Sequence, residues 1–395
     1  MSKSSKKIPL SERPLWQQIN WPQSLLLAIT PIIAVYGVSK TELQFKTAIF
    51  SLLYYFISAL GITAGYHRYW SHRSYSASLP LRIFLMLTGT AAVQGSIMWW
   101  CKDHRVHHRF TDTEKDPYNS KKGLLWSHIG WMIFKKDSTK IGRAEVDDLE
   151  KDPLVKFQHQ NYVPLALFMG FILPTIIPGV FWGDWEGGYF YSAVARLVFV
   201  HHATFCINSL AHWLGDASYD DKLSPRDFFI TALITMGEGY HNFHHEFPQD
   251  YRNAIKFYQY DPTKWFIYIP SLIGLSYDLK VFPENEVRKG AYMMKVKKLD
   301  EVKATIKWGV DISDLPTFTL KEYENKVKEE GKCWILIENV IHDVENFMHE
   351  HPGGVKYIRA YLGKDATQAF SGDVYDHSNG ARNLMSSMRV GRITA

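Results

Sequence analysis

Two stretches, HRVHHRF (His104–Phe110) and HNFHHEF (His241–Phe247), carry the same HxxHH box in different halves of the chain. Histidine has an unreliable charge near neutral pH, so such crowding is informative, and the chain has 17 of them. On a helix, positions i, i+3 and i+4 fall on one face. That lets His104, His107 and His108 point together, and likewise His241, His244 and His245. Protonated, these rings would repel one another; neutral, they are ordinary ligands for a transition metal.

Further histidines stand nearby in chemical type. HRYWSH contains His67 and His72. Five residues turn an α-helical side chain about 140° away, so these two cannot share a helix face. Either the helix breaks between them or they grip a site from two sides. NSLAH places Asn208 and His212 one helical turn apart, on one face. Nine candidate ligands result: His67, His72, His104, His107, His108, His212, His241, His244 and His245. Nine imidazoles are too many for one ion and suit two, as a redox centre for oxygen or a Lewis-acid centre for hydrolysis. Asp103, Asp112 and Glu238 are the carboxylates expected to support the rings. Cys101, beside the first box, reads as a packed thiol. The three cysteines form no CxxC, which fits a reducing compartment.

Positioning these residues requires a membrane. Four stretches approach the roughly 20 apolar residues of a span: about Trp21–Val38, Ala48–Tyr66, Val163–Trp182 and Tyr189–Leu210. The last carries Arg196, His201 and His202, which are expected to face the protein interior or the interface. The spans pair as two hairpins. The loop GDWEGG has two acids and no Lys or Arg, suiting the non-cytosolic side, whereas KSSKK and the loop around the first box are rich in Lys and Arg. Every histidine cluster then lies on the cytosolic face. Leu79–Trp100 is apolar, but a fifth crossing would separate His67 from His104, so it reads as a helix in the interface or against the bundle. Abundant aromatics (13 Trp, 22 Tyr, 23 Phe) suit a bilayer interface. The N-terminus lacks the apolar core of a cleaved signal peptide. The net charge of +5 comes with no basic-aromatic block for nucleic acid.

HRYWSH, HRVHH, NSLAHW and EGYHNFHHEFP, with ALGITAGYHRYWSHRSY and DPYNSKKGLLWSHIGW, resemble the histidine boxes of membrane acyl-CoA desaturases of the stearoyl-CoA type, over roughly Trp16 to Leu279. The resemblance implies two irons held by the nine histidines, with Asn208 reaching one metal through water. It also implies acyl-tunnel contacts for Gln94, Trp100 and Thr204, a tunnel end at Tyr55, and contacts near the CoA group for Lys102 and Asp103. Lys102 stands where close relatives have Arg, and the two differ in hydrogen-bond geometry. Tyr55 is equally readable as packing between spans.

From about Phe282 the chain turns charged, and a separate unit begins near Asp311. It contains the strand-like CWILIENVIHDV, then HEHPGG, then His377 in VYDHSNGARNLM. Haem iron takes two axial histidines, and glycines allow close approach to the ring. This pattern resembles cytochrome b5 over about 311–393. It implies His351 and His377 as axial ligands of haem b, and leaves His342 and His349 as surface residues.

The two halves fit one reaction. Reducing O2 to two waters takes four electrons; a CH2–CH2 bond gives two, and the rest must arrive singly through a carrier such as haem. The expected architecture is multi-domain: a tail (1–20), a four-helix transmembrane bundle with a cytosolic helical cap (21–282, the membrane fatty acid desaturase fold), a charged linker (283–310) and an α+β cytochrome b5-like domain (311–395). The expected activity is O2-dependent desaturation, with termini and metals cytosolic; the resemblance to the desaturases implies the Δ9 position, a saturated acyl-CoA as substrate and the endoplasmic reticulum membrane as the location. NADH-cytochrome b5 reductase is the expected donor, and zinc the alternative occupant on mis-loading. A fatty-acid hydroxylase is the nearest rival. A front-end desaturase would carry its haem domain first and Gln in place of His241. A zinc hydrolase has no use for haem, and a membrane-anchored electron carrier leaves nine histidines unexplained.

Overall fold

In the computed structural model, which describes residues 10–137, 139–372 and 376–394, four helices are long and apolar enough to cross a membrane: Trp21–Lys40, Phe45–Ser71, Tyr162–Trp182 and Trp185–His212. The basic stretch at residues 1–9 lies outside the described residues. The spans leave large apolar side chains exposed, among them Ile32, Val35, Leu52, Val180, Phe181 and Phe199. Such surfaces belong in lipid rather than water. The fourth span packs against the other three.

Polar groups inside the bundle are matched. Asp184, at the turn between the third and fourth spans, accepts from Gly187 N (2.9 Å) and from the Thr47 hydroxyl, and Thr47 accepts from Trp182 Nε1 (2.8 Å). Arg196, buried in the fourth span, donates to Ala91 O (2.7 Å), Gly170 O (2.8 Å) and Ser192 O (3.1 Å), and lies over the Tyr54 ring. It serves carbonyls freed where other helices break or widen, which is how a buried cation is tolerated without a carboxylate.

The apolar stretch Leu79–Trp100 is not one helix. It forms Leu79–Thr90, a non-helical bend, and then Ile97–Phe110, which carries the first box. The Ser96 hydroxyl caps the second helix by accepting from Trp99 N. The bend is pinned by Gln158, which accepts from Ile97 N (3.0 Å), and by Tyr162, whose hydroxyl accepts from Gly95 N (2.8 Å). His201 reaches the same bend at Ala92 O (2.8 Å), whereas His202 is exposed and meets His128. Two short antiparallel strands, Ser76–Ala77 and Ser276–Tyr277, tie the exit of the second span to the segment after Pro262–Ser271.

The second unit, divided from the first between Lys295 and Val296, holds a four-stranded mixed sheet. Its spatial order is Thr317–Phe318, Arg389–Ile393, Val340–Asp343, Trp334–Ile337; the first pair is parallel and the others antiparallel. Glu338 and Asn339, both at positive φ, make the tight hairpin turn. The segment 283–310 is mostly a helix, Glu284–Thr305, and the division falls within it. His342 is not a surface residue: it is buried on its strand, and its Nδ1 donates to Met385 O (3.1 Å). Its strand is internal to the sheet and covered on both faces, since Val340 and His342 on one side and Ile341 on the other are all buried.

Gly61, where the second span changes its winding, sits against Gly89. A Cβ on Gly61 would lie 2.1 Å from Gly89 N. Neither backbone can yield cheaply. Gly61→Ala is expected to destabilise the protein by about 1–3 kcal/mol or more, read as a lowered thermal midpoint in detergent.

Candidate metal centre

The second span ends in a π-helical stretch, Gly61–Ser71. His72 N donates to His67 O, an i→i+5 bond of 3.1 Å. This wider winding brings position i+5 back over position i. The rings of His67 and His72 consequently stand 4.8 Å apart, centroid to centroid. The 140° divergence of an ordinary α-helix does not apply, and no break between the two is needed. The last part of the fourth span departs from expectation as well. Its α-helix stops at Asn208, and His212 follows on a separate 3-10 turn, Leu210–His212. Asn208 and His212 are therefore not successive positions on one helical face.

The nine candidate ligands form two groups. His67, His72, His104, His108 and His244 make one; His107, His212, His241 and His245 make the other. Each HxxHH box feeds both: its i and i+4 residues join one group and its i+3 residue joins the other. The groups adjoin, with the rings of His108 and His245 stacked at 4.2 Å.

The boxes' intervening residues fix their orientation. Arg105 forks onto Asp148 (2.7 Å, twice) and donates to Trp70 O and Ser71 O, tying the first box to the π-helical segment. Asn242 holds Tyr219 N, Asp220 O and Pro225 O, while Phe243 packs on Tyr219 and Phe247. Asp227 caps the short helix His241–Glu246 by accepting from Asn242 N and Phe243 N; burial pushes its carboxyl up to about 6.

Inside the groups, ring nitrogens face one another at hydrogen-bond distance. The Nε2···Nε2 separations are 2.8 Å for His72–His104 and 3.0 Å for both His67–His244 and His108–His244. They are 3.1 Å for both His212–His241 and His241–His245, and 3.3 Å for His107–His245. A neutral imidazole has one N–H. His67 donates its Nδ1–H to Glu238 (3.1 Å) and His107 donates to both oxygens of Asp116 (3.0 Å each). His212 donates to the Ser224 hydroxyl (2.7 Å), which in turn donates to Asp112 (2.6 Å). Their Nε2 atoms therefore carry lone pairs that point at other ring nitrogens. Within each group the donor atoms lie within 4.8 Å of one another, the scale of two metal–nitrogen bonds of about 2.1 Å. A cation in each group reconciles the facing lone pairs, so the residues fit a two-metal centre.

Electrostatics keeps the rings in ligand form. Burial, and then the neighbouring imidazoles, hold His72, His104, His108, His241, His244 and His245 well below the usual imidazole range. For Glu238, burial opposes ionisation, but the charge of Arg68, with hydrogen bonds from His67 and Arg68, outweighs it and brings the carboxyl down to about 2. Arg68 is itself buried and forks onto Asp261 (2.9 and 3.2 Å) as well as Glu238 (2.8 Å).

Of the expected carboxylates, Glu238 and Asp112 support rings, Asp112 through Ser224. Asp103 does not: it pairs with Lys136. Asp116 and Arg68 were missed. Asp116 comes back to His107 only because the loop turns at Asp112, which has φ 65°; no periodicity announces it. Arg68 had a signal, a charge beside a ligand at the end of an apolar span. Cys101 is fully buried and donates its thiol to Tyr66 O (3.2 Å); burial pushes it up to about 12.

A cavity of about 540 Å³ opens beside the five-histidine group, bordered by His67, His104, Glu238 and Asn208. Gln94 and Thr204, joined at 2.8 Å, line it, as does Trp100, stacked on His104. Lys102, Asp103, Lys135 and Lys136 line it too. Tyr55 does not; it packs edge-on against Phe56.

The second unit has a cavity of about 970 Å³ between His351 and His377, walled by Ile335, Val344, Phe347 and Leu384. The two imidazoles are 6.3 Å apart and 26° from parallel. Their Nδ1 atoms face Gly354 O (3.3 Å) and Phe370 O (3.0 Å), which assigns the lone pair to Nε2. A Cβ on Gly353 would lie 2.9 Å from the His351 ring. An apolar slot with two opposed imidazoles fits a haem.

Two family models match the chain: "Fatty acid desaturase" over residues 45–267 and "Cytochrome b5-like Heme/Steroid binding domain" over 319–394. The chain is 53% identical to the "Probable acyl-CoA desaturase" of Schizosaccharomyces pombe, over 97% of this chain and 79% of that one. It is 48% identical to "Acyl-CoA desaturase 1" of Saccharomyces cerevisiae, over 97% and 76%. With the "Stearoyl-CoA desaturase" of Homo sapiens it shares 40% identity, over 70% and 77%.

Arg68 stands between two buried carboxylates, so removing it leaves both uncompensated. Arg68→Met is expected to lose about 3–5 kcal/mol, read as a large drop in thermal midpoint, with a smaller drop for Arg68→Met combined with Asp261→Asn.

Proposed function

Because the chain belongs to the fatty acid desaturase family and carries a cytochrome b5-like domain on the same polypeptide, we propose that it inserts a cis double bond at Δ9 of a saturated acyl-CoA such as stearoyl- or palmitoyl-CoA. The observation that carries this reading is the convergence of nine imidazoles in two adjoining groups, the five-histidine one bordering a cavity. The overall change is –CH2–CH2– + O2 + 2 e⁻ + 2 H⁺ → –CH=CH– + 2 H2O.

His67, His72, His104, His108 and His244 would hold one iron. His107, His212, His241 and His245 would hold the other, with Asn208 reaching one of the two metals through a water. Bound iron supplies the oxidising power that an unactivated C–H bond demands. The chain's own residues do the rest. Glu238, Asp116 and Ser224 fix three rings through their Nδ1–H groups. The hydrogen-bonded Gln94–Thr204 pair lines the cavity, and Trp100 lies flat on His104 beside it, which supports reading the three as contacts for the acyl chain. Lys102 and Asp103 line the same cavity, which supports reading them as contacts for the CoA end. Burial of the groups shields them from bulk water. Zinc is also accepted by histidine sites, and a zinc-filled protein would fold without turning over, since zinc has no redox chemistry.

His351 and His377 would ligate haem b, which passes electrons one at a time; its fusion to the desaturase keeps the donor at high effective concentration. NADH-cytochrome b5 reductase is the proposed source. The protein is a multi-pass membrane protein, and the endoplasmic reticulum is its proposed site, with termini and metals on the cytosolic side. The Lys- and Arg-rich segments flanking the first box and the acidic turn at residues 183–188 support that orientation.

Expression in cells unable to make unsaturated fatty acids, followed by lipid profiling, tests the reading: new cis-9 monoenes are expected, and hydroxylated chains would replace it with a hydroxylase. In the same cells His107→Ala and His244→Ala are each expected to abolish the product and keep the haem Soret band. His351→Ala is expected to remove the Soret band and leave the iron content of the desaturase domain unchanged.

A further inference from the structure

The two histidine groups differ in the charge that supports them. On the five-histidine side, the carboxylate that receives a ring N–H is Glu238. Its charge is met at once by Arg68, 2.8 Å away, and Asn253 donates to its second oxygen. On the four-histidine side, Asp116 takes the His107 N–H with both oxygens, and its other donors are the backbone N–H groups of Asp112 and Tyr118. Asp112 supports His212 through Ser224 and receives only the Ser224 N–H and the hydroxyls of Ser120 and Ser224. Both carboxylates are buried, at 6% exposure for Asp112 and 2% for Asp116, and among the described residues neither forms an ion pair with Lys or Arg. A second difference follows the first: His67 and His104 border the cavity, whereas no member of the four-histidine group does.

We propose that Asp112 and Asp116 are positioning residues that make the four-histidine group the tighter of the two cation sites, so that the centre fills and empties in a fixed order. This rests on reading the nine histidines as a two-metal centre. The physical argument sets two effects against each other. Ligand number favours the five-histidine group. Charge favours the other, because an uncompensated carboxylate behind a ring N–H makes that imidazole a stronger donor. Its field also reaches a nearby cation with little screening in a buried site. Glu238 orients His67 equally well, but Arg68, which it shares with Asp261, offsets part of its field, whereas Asp112 and Asp116 together present two carboxylates with no cation between them among the described residues. Loss of such a supporting carboxylate elsewhere changes metal affinity by about 10–100-fold, and the four-histidine side has two such carboxylates, Asp112 and Asp116. The division also suits the geometry: the ion set back from the cavity is held fast, and the ion beside the substrate keeps the more neutral surroundings.

The test is chelator challenge of the full-length, haem-loaded protein after loading with ferrous iron, with iron per chain followed over time by elemental analysis. The expected result is release in two phases of about one ion each, the slow phase at least about tenfold slower. Asp116→Asn, which keeps an acceptor for His107, should accelerate the slow phase by about 10–100-fold and leave the fast phase alone. Glu238→Gln should alter only the fast phase. Asp112→Asn gives a second route to the slow phase should Asp116→Asn fail to elute as a monodisperse, Soret-positive protein. A single release phase in the wild-type protein would overturn the proposal, as would a slow phase that responds to Glu238→Gln and not to Asp116→Asn. A wild-type protein that never binds two ions would overturn the two-metal reading itself, which the loading step reports before any chelator is added.

Discussion

Nine imidazoles can be buried together only if none of them carries a proton on the inward nitrogen, and most of this architecture answers that requirement. Crowding and burial depress the ring basicity, so the outward nitrogen becomes the only place for the remaining N–H. Each outward N–H then needs an acceptor. Glu238, Asp116 and the Ser224–Asp112 pair supply three. These acceptors come from loops that would otherwise have no reason to be buried, and the buried charges bring further requirements: Glu238 demands Arg68, and Arg68 demands Asp261. A chain of hydrogen-bonded polar groups thus runs from the ligand rings into the segment 250–264, far beyond the histidine boxes.

Departures from regular helix are the means by which apolar spans deliver polar side chains. The π-helical stretch at Gly61–Ser71 brings His67 and His72 to one side; the bend after Thr90 starts a new helix in a direction that carries the first box to the centre; the stop at Asn208 turns His212 toward the second box. Each departure frees backbone groups where water is scarce, and each is served locally. Arg196 takes the carbonyls at Ala91 and Gly170, and Gln158 and Tyr162 hold the bend. The irregular backbone is therefore confined to places where a partner is at hand.

The haem domain solves a separate problem with a different kind of fold. Its sheet and helices hold two histidines on opposite walls of an apolar slot, where a redox group is shielded from solvent but needs no substrate access. The desaturation stoichiometry calls for exactly two outside electrons per turnover, delivered singly, which is what such a domain provides. Fusing the two units removes the need for a diffusional encounter at every turnover.

The histidine boxes, the spans and the haem-binding pattern are legible in the residues because each rests on local spacing: i, i+3 and i+4 for a box, about 20 apolar residues for a span, HPGG beside a strand pattern for the haem turn. Spacing alone could not say how the nine ligands divide. That depends on two box helices meeting so that each sends its i+3 ring to the group its partner's i and i+4 rings occupy, which is a tertiary relation. Spacing also misled at His67 and His72, because the rotation per residue was that of an α-helix and the backbone there is wound more widely; tight packing of Gly61 on Gly89 accompanies that winding. It misled at His342, which lies on an internal strand of the four-stranded sheet that is covered on both faces. Asp116 and Asp261 were invisible because loops, not a period, bring Asp116 to His107 and Asp261 to Arg68. What the residues determined is the chemistry available; what only the folded chain decided is which carboxylate stands behind which imidazole, since charge compensation is a property of three-dimensional neighbours and not of sequence distance.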